Sequence, residues 1–465
     1  MKKILYFLTG GLLFTTQLLA NNILVDNASL SGKNTTTHTT NVTFDVSWEN
    51  SWRTSTNESN YDGAWIFVKY RKNGTNDWRH ATITSATGAT GAATLVPADG
   101  KGVFIYRDAD GIGNVNFTGN TLLWSYGADG LLDNETVEIR VFALEMVYIP
   151  AGSFYLGSGG TENYSFRDGN TTNPYLVNSN DPISLGNSAT GKLNPNGLGA
   201  LSGNIPSAFP KGYNAVWTMK YECSQQQYVD FLNHLDLARA NANNPNPIFT
   251  GTHPNLVAPV PDRAMNGLGF LRTSAFADWS GLRPMSELEF EKICRGYNTP
   301  AVPNEYVWGN TSIVQVTGVD NSGMADESVS APVAANANIA NMLPNTTRVG
   351  IFARTTGSTR TLSGGTYYGV MNMGDNAAEI CFTMATADGL AIDASVHGDG
   401  YLNASGVSDI ATWTKYQAYG TRGGAYNTAI DQARISDRLY SNFFASYPSD
   451  VNSSSNGFRL VRSAL

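Results

Sequence analysis

Residues 64–71 read AWIFVKYR, and no other stretch limits the fold as strongly. Along an extended chain Trp65, Phe67, Lys69 and Arg71 fall on one face, and Ile66, Val68 and Tyr70 on the other. A period of two is a strand's, and comparable runs fill the first third of the chain: NVTFDVSW, WRHATI, GVFIYRD, NTLLWSY and TVEIRVFALEM. Clusters of turn formers (KNGTND, ADGKG, GADGLLDNE) separate them.

Short strands punctuated in this way predict an antiparallel β-sandwich, immunoglobulin-like, over residues 21–144. DADGIGN at 108–114 lacks the downstream acidic ligand of an EF-hand and reads as an Asx-rich turn. The chain has 465 residues, more than one core commonly supports, so a second domain is expected over 145–465. Its 47 glycines and 15% charged residues suit a loop-rich protein. A net charge of −8 with no Lys/Arg cluster argues against a nucleic-acid partner.

The start, MKKILYFLTGGLLFTTQLLANN, reads as a secretory signal peptide over residues 1–20. Its apolar run is shorter than the roughly 20 residues of a spanning helix, so the expectation is a secreted or cell-surface protein without a membrane span after signal removal. Cys223, Cys294 and Cys381 cannot all pair with one another and read as buried small hydrophobes. His38, His80, His234, His253 and His397 are not spaced as transition-metal ligands. VHGDGYLNASG at 396–406 reads as an exposed glycine turn.

Beyond residue 145 long Gly/Asn/Ser/Pro segments, such as 158–210, surround two clear helices. In SQQQYVDFLNHL, Ser224 is the N-cap, and Tyr228, Phe231, Leu232 and Leu235 form one stripe. In SELEFEKICRG, Ser286 and Glu289 make a capping box, Phe290 and Ile293 face inward, and Gly296 stops the helix.

Six motifs follow in order: EMVYIPAGSFYLGS, MKYECSQQQYVDFLNHL, FADWSGLRPMSELEFEKICRG, YYGVMNMGDNAAEI, RGGAY and NGFRLVR. Together they resemble the formylglycine-generating enzyme (sulfatase-modifying factor) family over roughly 145–465. The resemblance implies a variant of the C-type lectin fold with little regular secondary structure and with calcium as a structural staple. The fold class expected for the whole chain is therefore α+β. The family's oxidase holds copper with a cysteine pair between its Arg-Gly-Gly turn and its Gly-Phe-Arg end, yet residues 422–465 contain no cysteine. The His-rich iron motif of related carbon–sulfur bond-forming members has no counterpart either. Neither copper nor iron is expected, nor catalysis of the family's kind.

By the same resemblance Asn372 and Glu379 supply side-chain oxygens to calcium, and Asp375 and Ala377 supply carbonyls. Asp375 stands where the family usually has glycine. Asn338, in NANIANM, resembles a ligand of the family's second calcium site. Arg422, Arg434, Arg438 and Arg459 are read as structural, pairing with Asp431, Asp437 and carbonyls. Tyr426, Asn427, Thr428, Ile430, Asp431, Tyr440, Asn442, Phe443, Phe444 and Tyr447 are read as a ligand surface of adaptable Tyr/Ser/Asn chemistry. The expected function is an exported, non-catalytic binding or surface-interaction protein whose extracellular partner is a glycan or a protein. The alternatives are a metal-dependent oxidase of the same family, a ligand-display protein diversified by a retroelement, and a self-assembling structural component of an extracellular assembly.

Overall fold

The computed structural model describes residues 22–244, 248–353, 358–446 and 450–464. Residues 1–20, read as a signal peptide, and Tyr447 lie outside the described residues. Among them no helix is long and apolar enough to cross a membrane.

The alternation at 64–71 becomes a strand, Tyr61–Lys72, in register with Val137–Ile149 from Tyr61↔Tyr148 to Lys72↔Val137. Thr39–Arg53 pairs with Gly111–Trp124 on one side and with the exposed strand Leu24–Asn34 on the other. These strands belong to one 12-stranded sheet that turns through the pair Arg53↔Tyr61. The turn brings Ala64, Ile66, Val68 and Tyr70 against Val42, Phe44, Val46, Trp48, Leu122 and Trp124 in a shared core.

The other face of Tyr61–Lys72 is equally dry, which alternation alone cannot reveal. Trp65 and Phe67 are fully buried in a larger core with Trp217, Phe231, Phe276 and Trp279. Phe104 stacks on Trp217 at 4.3 Å, and the Trp65 indole donates to the Ser280 carbonyl at 2.8 Å. Lys69 shares this face; its ammonium donates to the Gly400 carbonyl at 3.1 Å and lies 5.1 Å from the Trp279 ring. Burial holds its pKa well below the usual lysine range, opposed by the charge of Asp278.

Val137–Ile149 carries the sheet onward. It pairs with Val216–Met219, which pairs with Leu460–Ser463, which pairs with Arg283–Pro284. Residue 144, the expected boundary, falls inside this strand. Lys220 pins the join, its ammonium 3.1 Å from Asp62 and 3.0 Å from Glu145, all three buried.

Six α-helices complete the α+β fold among the described residues. Glu287–Arg295 carries the capping box read from sequence, Gln225–Asn233 carries the expected Ser224 N-cap and adds Gln227 to complete a second box, and Tyr228, Phe231, Phe290 and Ile293 are buried. A third helix, Phe270–Trp279, was not foreseen. Gly269 caps it without a side-chain bond, and eight of its ten residues are buried, so it shows no polar face to mark a helical period. The segment 158–210 is ordered by short pairings, Phe154–Leu156 with Tyr175–Val177, Arg167–Asp168 with Leu193–Asn194, and Ile183–Ser184 with Asn204–Ile205. Its Phe166, Leu193, Ile205 and Phe209 enter the main core.

Candidate functional site

Three of the sequence motifs meet in one small sheet. Ala378–Phe382, at the end of NMGDNAAE, lies between Tyr419–Arg422 and Asn456–Gly457, placing Glu379 opposite both Arg422 and Gly457. The Arg-Gly-Gly turn then lies against the NMGDNAAE loop. Gly423 has φ +76°, and a Cβ there would stand 2.5 Å from the Met373 carbonyl oxygen; one on Gly424 would stand 2.8 Å from that of Gly374. Backbone contact this close excludes a side chain at either position.

Three of the arginines brace this meeting point through carbonyls, as expected, and through glutamates in place of the expected aspartates. Arg422 donates to Glu291 at 2.9 Å and to the Ile435 carbonyl at 2.6 Å, and Arg438 donates to Glu287 at 2.8 Å. Both glutamates sit on Glu287–Arg295, where every residue is buried. Arg459 pairs with Glu379 and donates to the carbonyls of Met219, Lys220 and Met371. Only Arg434 keeps a local aspartate, Asp431, at 2.8 Å on the surface. Asp437 instead accepts from the Asn163 amide at 2.8 Å. Buried guanidinium forks need carboxylates that are buried with them; Asp431 is exposed, and Asp437, though buried, is taken up by Asn163 and the Leu439 N–H.

The expected calcium residues gather in a buried polar cluster. The Asn372 oxygen accepts from the Gly350 N–H at 2.9 Å, while its amide nitrogen faces Asp375 at 3.3 Å. Asp375 also accepts from the Asn338 N–H at 2.7 Å. Glu222 accepts from the Asn376 amide at 2.8 Å and from the Ala377 N–H at 2.9 Å. Arg459 pairs with Glu379, and its charge also reaches Glu222 and Asp375. Burial raises Asp375 and Glu379 to about 7 and Glu222 well above its usual range. Two buried oxygens, Glu379 Oε2 and Asn338 Oδ1, have no hydrogen-bond partner. Two orphaned oxygens beside three buried carboxyl groups fit a hard cation. Asp375 adds a side-chain carboxyl to the cluster, while its carbonyl accepts from the Ala377 N–H at 2.9 Å.

The expected ligand surface divides. Tyr426, Asn427 and Thr428 stay together: Asn427 donates to Ser454 at 3.3 Å and accepts from Ser455 at 2.9 Å, and Thr428 closes the turn on Ala425. Ile430 packs on the core beside Ala433, and Asp431 is exposed. Tyr440 is exposed, and Asn442 and Phe443 are half-buried. Phe444 does not belong to a surface, being fully buried against Phe270 at 5.4 Å. Its Ser/Asn-rich surroundings in sequence gave no hint of this.

Tyr426 lines a cavity of about 160 Å³ that sequence reasoning missed. The walls come from six separate stretches of the chain, including Asn243, Asn244, Met265, Asn266 and Asn345. None of the described residues lining it carries a charge. Among the described residues, no hydrogen bond engages the Tyr426 hydroxyl, the Asn244 and Asn345 amides, or the Asn266 side-chain oxygen.

Two further groups complete the chemistry. Cys223, Cys294 and Cys381 are free and buried, and burial pushes each thiol well above its usual pKa. Asp278, Asp399 and Asp409 hold carboxylate oxygens within 4.8 Å of one another. Asp278 is already engaged, accepting from Ser408 at 2.6 Å and from the Asp399 N–H at 3.0 Å. Burial raises its carboxyl to about 7, with Asp399 adding to the effect. His397, in the segment read as an exposed turn, is half-buried and accepts from the Ser463 N–H at 3.0 Å.

A small sheet that joins three loop-borne motifs, braced from below by buried arginine–glutamate pairs, defines a domain of the sulfatase-modifying type. Residues 135–464 match the sulfatase-modifying factor enzyme 1-like domain, and the chain belongs to that family. No curated protein matches the chain.

Proposed function

We propose that this protein is an exported binding protein that keeps the family scaffold without the family's thiol chemistry. The observation that carries the reading is the uncharged cavity beside Tyr426, set between an Arg-Gly-Gly turn and a Gly-Phe-Arg end that have no cysteine between them. The three thiols elsewhere are buried and held protonated, so none is available as a nucleophile or copper ligand. Export rests on the signal-like start of the sequence. The N-terminal strands, with their common core, form the immunoglobulin-like sandwich in this reading.

Calcium belongs to the same proposal as a structural ion. Asn372, Glu379 and the Asp375 and Ala377 carbonyls would hold it, with Asn338 close by, and it would supply positive charge to a pocket rich in buried oxygen. It has no catalytic part.

The test pairs two assays on the purified protein. With copper, oxygen and a cysteine-containing peptide, no thiol should be consumed. In a thermal-shift screen of neutral small molecules, a stabilising compound should lose its effect in a Tyr426→Ala variant. Oxygen-dependent turnover of the peptide with copper bound would overturn the proposal.

A further inference from the structure

Resting on that binding reading, we propose that the Tyr426 cavity takes a neutral carbohydrate, one sugar ring of a glycan. The walls set the ligand's chemistry. An ionic ligand would enter a site without a counter-charge and lose its hydration uncompensated. The ligand is therefore uncharged, yet polar, because the wall holds amide and hydroxyl groups that the fold leaves unused: Asn244, Asn345, Asn266 and Tyr426.

Side-chain amides donate and accept at neighbouring atoms. A pair of adjacent sugar hydroxyls makes the same two demands. Met265, Ile248 and the Tyr426 ring add apolar surface for the C–H face of a sugar ring. A peptide is disfavoured on the same grounds. Extended peptides are captured by strand edges through main-chain bonds, whereas these walls are a helix end, loops and side chains. The cavity is compact, about 160 Å³, and suits a ring better than an extended chain.

Saturation-transfer NMR on the full chain tests this, using glucose, galactose, mannose and N-acetylglucosamine singly, and N-acetyl-asparagine methylamide as a neutral peptide probe. Asn345→Asp and Asn244→Asp place a charge at exposed or half-exposed positions on the wall, and the thermal melt of each variant checks that it folds. The proposal expects transfer to at least one sugar and at least a tenfold weakening in both variants. Transfer to the peptide probe alone would overturn the carbohydrate while leaving the cavity reading intact. Transfer to no probe would overturn both. Sugar binding unchanged in the two variants would remove it from this cavity.

Discussion

Lys220 offers the sharpest test of how the chain is held together. Its ammonium is 4% exposed and meets two carboxylates, Asp62 from the N-terminal strands and Glu145 from the strand that carries the sheet onward. Replacing it in Lys220→Met leaves both acids in place. Asp62 keeps the Trp48 indole at 3.0 Å, the Ser51 hydroxyl at 2.8 Å and the Trp52 N–H at 3.0 Å. Glu145 keeps much less: its Oε1 already lacks a partner, and burial holds its carboxyl above the usual range even with Lys220 present. Removing one partner of a buried pair costs about 3–5 kcal/mol, and here the loss falls mainly on Glu145. Adding Glu145→Leu should recover most of it, because a buried ion pair exchanged for apolar groups is often neutral. Urea denaturation followed by tryptophan fluorescence and by far-ultraviolet circular dichroism measures both effects. A loss below about 1 kcal/mol, or no recovery in the double variant, would refute the reasoning. So would two separated transitions in the wild-type protein, since the shared sheet requires the halves to unfold together.

Three other outcomes are expected. Asp278 has a folded pKa raised to about 7, so the stability it contributes is complete below about 3.8, its unfolded value, and is lost as pH rises through 7. Asp278→Asn should flatten the fall in stability between about pH 4 and 7, measured by urea titration at each pH, by up to about 1.4 kcal/mol per pH unit. Gly423→Ala meets both a positive φ and the Met373 carbonyl, and should cost at least about 1–3 kcal/mol in the same assay. Calcium at 100 times its dissociation constant should stabilise the chain by about 2.7 kcal/mol over a chelator-treated sample, and Glu379→Gln should abolish the difference; a melting temperature indifferent to chelator would count against the ion.

What could be read from the sequence was what neighbouring residues decide. Ser224 with Gln227 and Ser286 with Glu289 close capping boxes within three residues, so both helices were legible. The core face of Tyr61–Lys72 followed from its period of two. Its second buried face did not, because Trp217 and Trp279 lie far along the chain and Lys69 breaks the apolar pattern. ELEFEKICR has the charge spacing of a solvated helix, yet Glu287 and Glu291 are buried because Arg422 and Arg438 arrive from more than a hundred residues away. The cavity escaped for a related reason: its Asn and Tyr walls come from loops that share no local pattern. Phe444 shows that composition cannot tell a ligand-reading aromatic from one that fills the core.

The two-faced strand Tyr61–Lys72 also governs how this chain can change by recombination. Exchanging the N-terminal strands for an unrelated module would bare Trp217, Trp279 and Phe231 to water, and exchanging the other part would bare Trp65 and Phe67. Neither half is a portable cassette. A large side chain changed along the shared strand would need a matching change across it to keep this core filled.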